Sequence, residues 1–279
     1  MRTRLAGVFL FLPLLARVRL DEIVTQAGLC SSAMIPSPCA FLSVLLLKLL
    51  DKERQSHIDD FNFDRALGLF AGLNILPKKT FLTDFSYRHS AESMRQLLGP
   101  WASRLRTLLT DSSSRFSLDF HPIVHRGEDS VLENHYIPCA GQAASSIQTF
   151  FVLECDSRVF CYANANRTRD EQATEVMRFV DFWSEFTGSL PSWLYFDSKV
   201  TTYAELSRLN ERGIHFVTIR RRGSRLVARL AELPSSAWTK AVIDIPKRRH
   251  KEIGYHDERV RLGGYQGQVR QIAVRGLGR

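Results

Sequence analysis

Between two amphipathic helical stretches lies a run of only four residues, Trp193-Leu194-Tyr195-Phe196, apolar enough to be a buried strand. It follows a helix expected over Arg169–Gly188, with acids in the first turn and Gly188 placed to end it. A second helix follows from about Thr202 to Arg212, stopped by Gly213, and then the strand His215–Arg221. Strands joined through helices run parallel, so this segment demands a sheet with parallel members. Upstream, "FSLDFHPI" alternates as a strand should, and "TFFVLEC" (Thr149–Cys155) and "RVFCYANA" (Arg158–Ala165) read as a hairpin turning at Asp156-Ser157. Three strands, helix, strand, helix, strand make a mixed sheet, and an α/β (α+β) chain.

Residues 1 to about 110 carry a different period. Apolar positions recur at helical spacing in Leu5–Leu20, Phe41–Leu50, Arg65–Leu73 and Glu92–Leu109. "MRTRLAGVFLFLPLLARVRL" mimics a signal peptide, but Arg17 and Arg19 follow at once with no small-residue cleavage site. "FLSVLLLKLL" is too short to span a bilayer and contains Lys48. Both are expected to be core helices, and no membrane association is expected. The five cysteines include no CxxC pair and their number is odd, which fits free thiols in a reducing cytoplasm. "DRALGLFAGLNILPKKTFLTDFSYRHS" offers two helices about a short turn. It fits either a helix-turn-helix presenting Lys78, Lys79, Tyr87 and Arg88 to DNA or an ordinary packed helical hairpin. "TDSSSR" (Thr110–Arg115) is a polar linker, and from Gly223 on the chain reads as polar strands with glycine-rich turns. Three regions are thus expected: 1–110 helical and DNA-binding, 111–222 the mixed-sheet core, and 223–279 a basic β-rich insertion. The strand order matches a ribonuclease-H-like core.

The formal net charge is +9, and it is unevenly placed: Arg208–Arg279 alone holds 17 Lys+Arg against 6 Asp+Glu. A basic excess this local points to a polyanionic partner. Arg220, Arg221, Arg222 and Arg225 cluster beyond the last core strand, and Lys247, Arg248, Arg249 and Lys251 form a second cluster. Such side chains give salt-dependent, largely sequence-independent contacts with DNA phosphates.

Two acids stand out against this background. Asp119 is interior to an apolar strand, and Asp197 ends the most aromatic one. In the expected sheet the two strands are neighbours, and two carboxylates brought together repel unless a cation sits between them. Hard oxygen ligands suit Mg²⁺ or Mn²⁺. Two such ions about 3.5–4 Å apart activate an attacking water and stabilise the leaving oxygen of a phosphodiester. Asp197 alone would serve equally as a cap for the helix that follows. Lys199 and His121 lie close by in sequence, as a phosphate contact and a polar neighbour, or simply as surface residues. A zinc cluster from His121, His125, Glu128 and Asp129 is disfavoured by Pro122, and no HExxH, GxSxG, P-loop or GxGxxG pattern occurs.

The segments "KERQSHIDDFNFDRALGLFAGLNILPKKTFLTDFSYR", "FSLDFHPIVHRGED", "WLYFDSKVTTYAELSRLNERGIHFVTIRRRG" and "RQIAVRGLGR" resemble bacterial insertion-sequence transposases of the Asp-Asp-Glu (DDE) class. The resemblance implies a ribonuclease-H-like catalytic core, a divalent metal and cut-and-paste transfer of double-stranded DNA. It also implies a cytoplasmic, nucleoid-associated protein that works on paired ends as a homodimer. The family's first two aspartates carry over to Asp119 and Asp197. Its third acid, a glutamate on a helix after the β-rich insertion, has no counterpart: Glu252 and Glu258 lie in a loop-like basic stretch and Glu205 follows Asp197 too soon. The expectation is a C-terminally truncated transposase, inactive or impaired, with one sheet face partly uncovered. The alternatives are a catalytically dead DNA-binding protein that competes with full-length transposase, and a metal-dependent nuclease of the same fold.

Overall fold

The computed structural model describes residues 3–108, 114–125, 127, 131–246 and 251–276. The chain divides into two compact units, one made of Met1–Ser112, Val159–Ala163 and Phe182–Ser189, the other of Ser113–Arg158, Asn164–Asp181 and Leu190–Arg279.

The first unit is helical. A 3-10 turn (Ala6–Phe11) leads into α1 (Leu12–Arg17) and α2 (Leu20–Gln26). One helix was expected across Leu5–Leu20. Pro13 has no N–H to continue a helix from upstream and instead sits in the first turn of α1, and Arg19 turns the chain with φ 53°. Next come α3 (Ser37–Leu49), α4 (Arg65–Phe70), α5 (Lys79–Tyr87) and α6 (Ala91–Leu108). The Asp64 carboxylate caps α4, accepting the N–H groups of Ala66 at 3.0 Å and Leu67 at 3.1 Å. Leu46, Ile58, Leu67, Phe70 and Leu82 form one buried cluster, and Val24, Ala40 and Phe85 belong to a second. The two apolar runs that looked like targeting segments therefore feed a core. No helix among the described residues is long and apolar enough to cross a membrane.

The second unit is built on a mixed sheet. The strands of that sheet are β1 (Arg115–Val124), β2 (Glu133–Ile137), β3 (Gln142–Glu154), β4 (Phe160–Asn164), β5 (Trp193–Phe196) and β6 (His215–Thr218), of which β4 is counted, but for Asn164, with the first unit. They lie in the order β2-β3-β1-β5-β6, with β4 also on β3. β1 pairs antiparallel with β3 and parallel with β5, and β5 pairs parallel with β6. Without the extra strand β2, the order β4-β3-β1-β5-β6 is that of a ribonuclease-H-like sheet. Pro122 is tolerated in a central strand because the β5 ladder has already ended at Leu118 opposite Phe196.

Two helices make the parallel connections: α7 (Gln172–Thr187) from β4 to β5, and α8 (Tyr203–Glu211) from β5 to β6. A capping box of Thr168 and Glu171 starts the first, and Gly188 with φ 69° ends it. Right-handed crossovers that step the same way across a sheet put both helices on one face. That face is the buried one: Phe116, Leu118, Phe150, Val152, Leu194 and Phe196 point to it, and the Phe116 ring meets Phe179 of α7 edge-on at 5.2 Å.

Beyond β6 the expected β-rich segment begins with a helix, α9 (Ser224–Ala231), before β7 (Thr239–Val242), β8 (Glu252–Val260) and β9 (Val269–Gly276) form a three-stranded antiparallel sheet. Leu226, Val227 and Leu230 recur at helical spacing and account for α9. The β8–β9 turn rests on the core: Tyr265 packs edge-on against Phe216 at 6.2 Å, and the Gln266 N–H donates to Ser207 Oγ of α8 at 2.9 Å.

Candidate metal and DNA-binding site

Alternation along the strands decides which side chains reach the second face of the core sheet. Leu118 and Phe196 are register partners on the buried face, so Asp119, the next residue of β1, points the other way, and Asp197 directly follows the last residue of β5. Ser117 and His121 of β1, Trp193 and Tyr195 of β5 and Val217 of β6 share that side by the same alternation. It is an open face: Trp193 is 38% exposed, Ile123 45% and Val217 51%. Neighbouring strands lie about 4.8 Å apart, and each aspartate directly follows one member of the last β1–β5 register pair, both exposed.

Each carboxylate is oriented by the backbone beside it. The Phe120 N–H donates to Asp119 Oδ1 at 2.9 Å, and the Ser198 N–H donates to Asp197 Oδ1 at 2.6 Å. The other oxygen of each has no hydrogen-bonding partner among the described residues. Of the alternative that Asp197 caps the following helix or turn, the helix half fails, because α8 is capped by Thr202, whose Oγ1 accepts the Glu205 N–H at 3.4 Å, while the turn half agrees with the Ser198 and Val200 N–H groups that Asp197 accepts through its carboxylate and carbonyl. Mg²⁺ and Mn²⁺ suit this donor set. Mg²⁺ retains several waters and is commonly held by one or two carboxylates together with substrate phosphates. The two aspartates would hold the ion, which would supply Lewis-acid activation of a phosphodiester and of its attacking water.

No group of three His, Cys, Asp or Glu side chains able to hold a metal occurs among the described residues. Glu258 lies in strand β8 rather than a loop. It accepts from Arg229 at 2.7 Å and from Gln271 at 2.7 Å, and the Arg229 guanidinium holds its carboxyl below the usual range. Glu205 is paired with Arg208 at 3.0 Å. Glu252 is exposed at the start of β8. Glu128 and Asp129 lie outside the described residues.

The basic residues divide by whether their side chains already have a partner. Lys79 is paired with Asp59 at 3.3 Å, Arg88 with Asp84, and Arg220 donates to Gln271. Arg221, Arg222 and Arg225 are exposed between β6 and the first turn of α9, their side chains without hydrogen-bonding or ionic partners among the described residues. Lys78, at the start of α5, and Lys199, two residues past Asp197, are likewise exposed. Lys247, Arg248 and Arg249 lie outside the described residues. The sequence reading did not single out Ser117, Tyr195 and Trp193 as neighbours of the acids, although period-two counting from Asp119 and Asp197 would have found them.

No protein-family model matches the chain, nor does any curated protein. Among solved structures it is similar to a piggyBac transposase synaptic complex with hairpin DNA, determined by cryo-EM, with a TM-score of 0.45 and 13% sequence identity. The match covers 93% of this chain and 60% of that one. The fold assignment rests on the strand order and not on this likeness.

Proposed function

We propose that the chain is a DNA transposase of the Asp-Asp-Glu class, acting with Mg²⁺ or Mn²⁺ on phosphodiesters at the ends of an insertion sequence. The observation that supports this reading is that Asp119 and Asp197, both exposed, each directly follow one member of the last register pair, Leu118 and Phe196, of two adjacent parallel strands. In it, the ribonuclease-H-like core holds the metal. Arg221, Arg222, Arg225 and Lys199, with Arg220 and the 247–249 cluster, contact the DNA backbone, and Lys78, Lys79 and Arg88 of the helical region 1–110 contribute a second surface. Residues 223–279 act as a basic insertion. Two acids among the described residues are one fewer than the resemblance implies, so hydrolysis by this chain should be weak and strand transfer weaker.

A second reading is favoured by the lack of a third carboxylate beside the pair among the described residues: a DNA-binding protein without catalysis that competes for element ends. Nicking of supercoiled DNA separates the two. Slow Mn²⁺-dependent nicking that is lost in Asp119→Ala and Asp197→Ala supports the enzyme. DNA binding with no nicking by any of the three proteins supports the competitor. A chain that neither binds nor nicks DNA contradicts both.

A further inference from the structure

The segment Asp197–Thr202 connects the end of β5 to α8, and it is the route by which β5 places an acid on the open face. It is short, yet every residue but Lys199 is fixed. The Asp197 carbonyl accepts the Val200 N–H at 3.1 Å, closing a turn, and its carboxylate takes the Ser198 N–H. The Val200 side chain is 1% exposed, anchoring the middle of the segment in the core. Thr202 caps α8. These bonds are local, and a turn held only by local bonds pivots with the helix it precedes. Among the described residues, Thr201 supplies the one hydrogen bond from this segment to another element: its Oγ1 donates to the Ala173 carbonyl, in the first turn of α7, at 3.2 Å. A residue 28 positions earlier in the chain is thereby tied to the turn that presents Asp197.

We propose that Thr201 is a positioning residue for the metal site. Its hydroxyl staples the Asp197 turn to α7, whose own place is set by its packing on the buried face of the same sheet. Asp119 needs no such device, because it lies inside β1, opposite Phe151 of β3. Asp197 lies past the end of its strand, so its height and direction depend on the turn. The threonine's Cγ methyl contributes packing, but the positioning belongs to the hydroxyl. This inference rests on the metal-binding reading above, and its test keeps the two apart.

The experiment uses the full chain and two readouts, Mn²⁺ affinity and backbone amide exchange. Thr201→Val keeps the shape and removes the hydroxyl. It should weaken Mn²⁺ binding on the order of tenfold, as loss of groups that orient metal ligands does. It should also speed exchange of the Val200 N–H while leaving the β1–β3 ladder protected. Thr201→Ser should restore both, and Thr201→Ala replaces the valine variant should that fail to fold. Mn²⁺ affinity equal to the wild type in the hydroxyl-free variant overturns the proposal. So does an equal weakening in the serine variant, which would assign the effect to packing. If the wild type does not bind Mn²⁺, or if Asp119→Asn and Asp197→Asn bind it as well as the wild type does, the metal reading falls. Exchange at Val200 then decides the staple alone, and an unchanged rate in the valine variant refutes it.

Discussion

The two faces of the core sheet are made by the same strands from alternating residues, and they differ in almost every other respect. One carries Phe116, Leu118, Phe150, Val152, Leu194 and Phe196, none more than 7% exposed, beneath α7. The other carries Ser117, Asp119, His121, Tyr195 and Trp193, with Asp197 at the strand end. The buried face supplies the apolar area that holds the strands in register. The open face inherits that rigidity at Asp119, which lies inside β1, whereas Asp197 follows the end of β5 and is carried by a turn. Apolar burial and exposed polar residues thus fall on opposite sides of one pleat.

Single substitutions test that division, and the largest effect belongs to the buried face. Phe116→Ala should cost about 3–5 kcal/mol in urea unfolding, the usual range for removing a buried phenylalanine. Trp193→Ser, one strand over on the open face, should cost less than about 1 kcal/mol. Similar costs from both would mean that the open face is covered in solution, and the comparison would break. A smaller effect concerns the partner. Changing Arg221, Arg222 and Arg225 together to alanine should weaken DNA binding without regard to sequence. It should also flatten the dependence of affinity on salt, by up to about 0.9 in the logarithmic slope for each phosphate no longer neutralised. An unaltered slope would remove these residues from the DNA surface.

The smallest effect concerns the start of α7, which frames the buried face. The Thr168 backbone N–H bonded to Glu171 holds that carboxyl below its usual range, with further help from Arg167 and the Thr168 hydroxyl against the cost of desolvation. A carboxyl lowered in the folded state binds its proton less readily there than in the unfolded chain. Its stabilising contribution is therefore full above the unfolded value and is lost as pH falls through the folded one. Glu171→Gln should lower stability slightly at neutral pH, flatten the acid limb of the stability–pH curve and converge on the wild type at low pH. A steeper acid limb in the variant would contradict the capping role.

Much of this was legible in the sequence, for identifiable reasons. β1, β5 and the helices between the later strands were readable because each is bounded by a glycine, a turn or a cap and each keeps one period throughout. Asp119 was conspicuous as an acid inside an apolar alternation, and the parallel neighbour that brings Asp197 beside it followed from helix-linked strands. Other elements were hidden where local signals conflict. β2 is only five residues, Glu133–Ile137, with three charged or titratable side chains, and its pairing with β3 is decided by tertiary contact. The break at Arg19 needed a left-handed arginine that no propensity favours. Glu258 looked loop-like because "HDER" is so polar, yet its pairing partners Gln271 and Arg229 come from β9 and α9, out of sight of local reading. Thr201 gave no signal at all, since its partner is a backbone carbonyl of another helix.

The most direct test of the central claim is anomalous scattering from a crystal of the protein soaked in Mn²⁺. The account predicts a peak on the open face bridging Asp119 and Asp197, absent in Asp119→Asn crystals treated in the same way. Mn²⁺ bound elsewhere with both aspartates unliganded, or no peak at the pair, would contradict it.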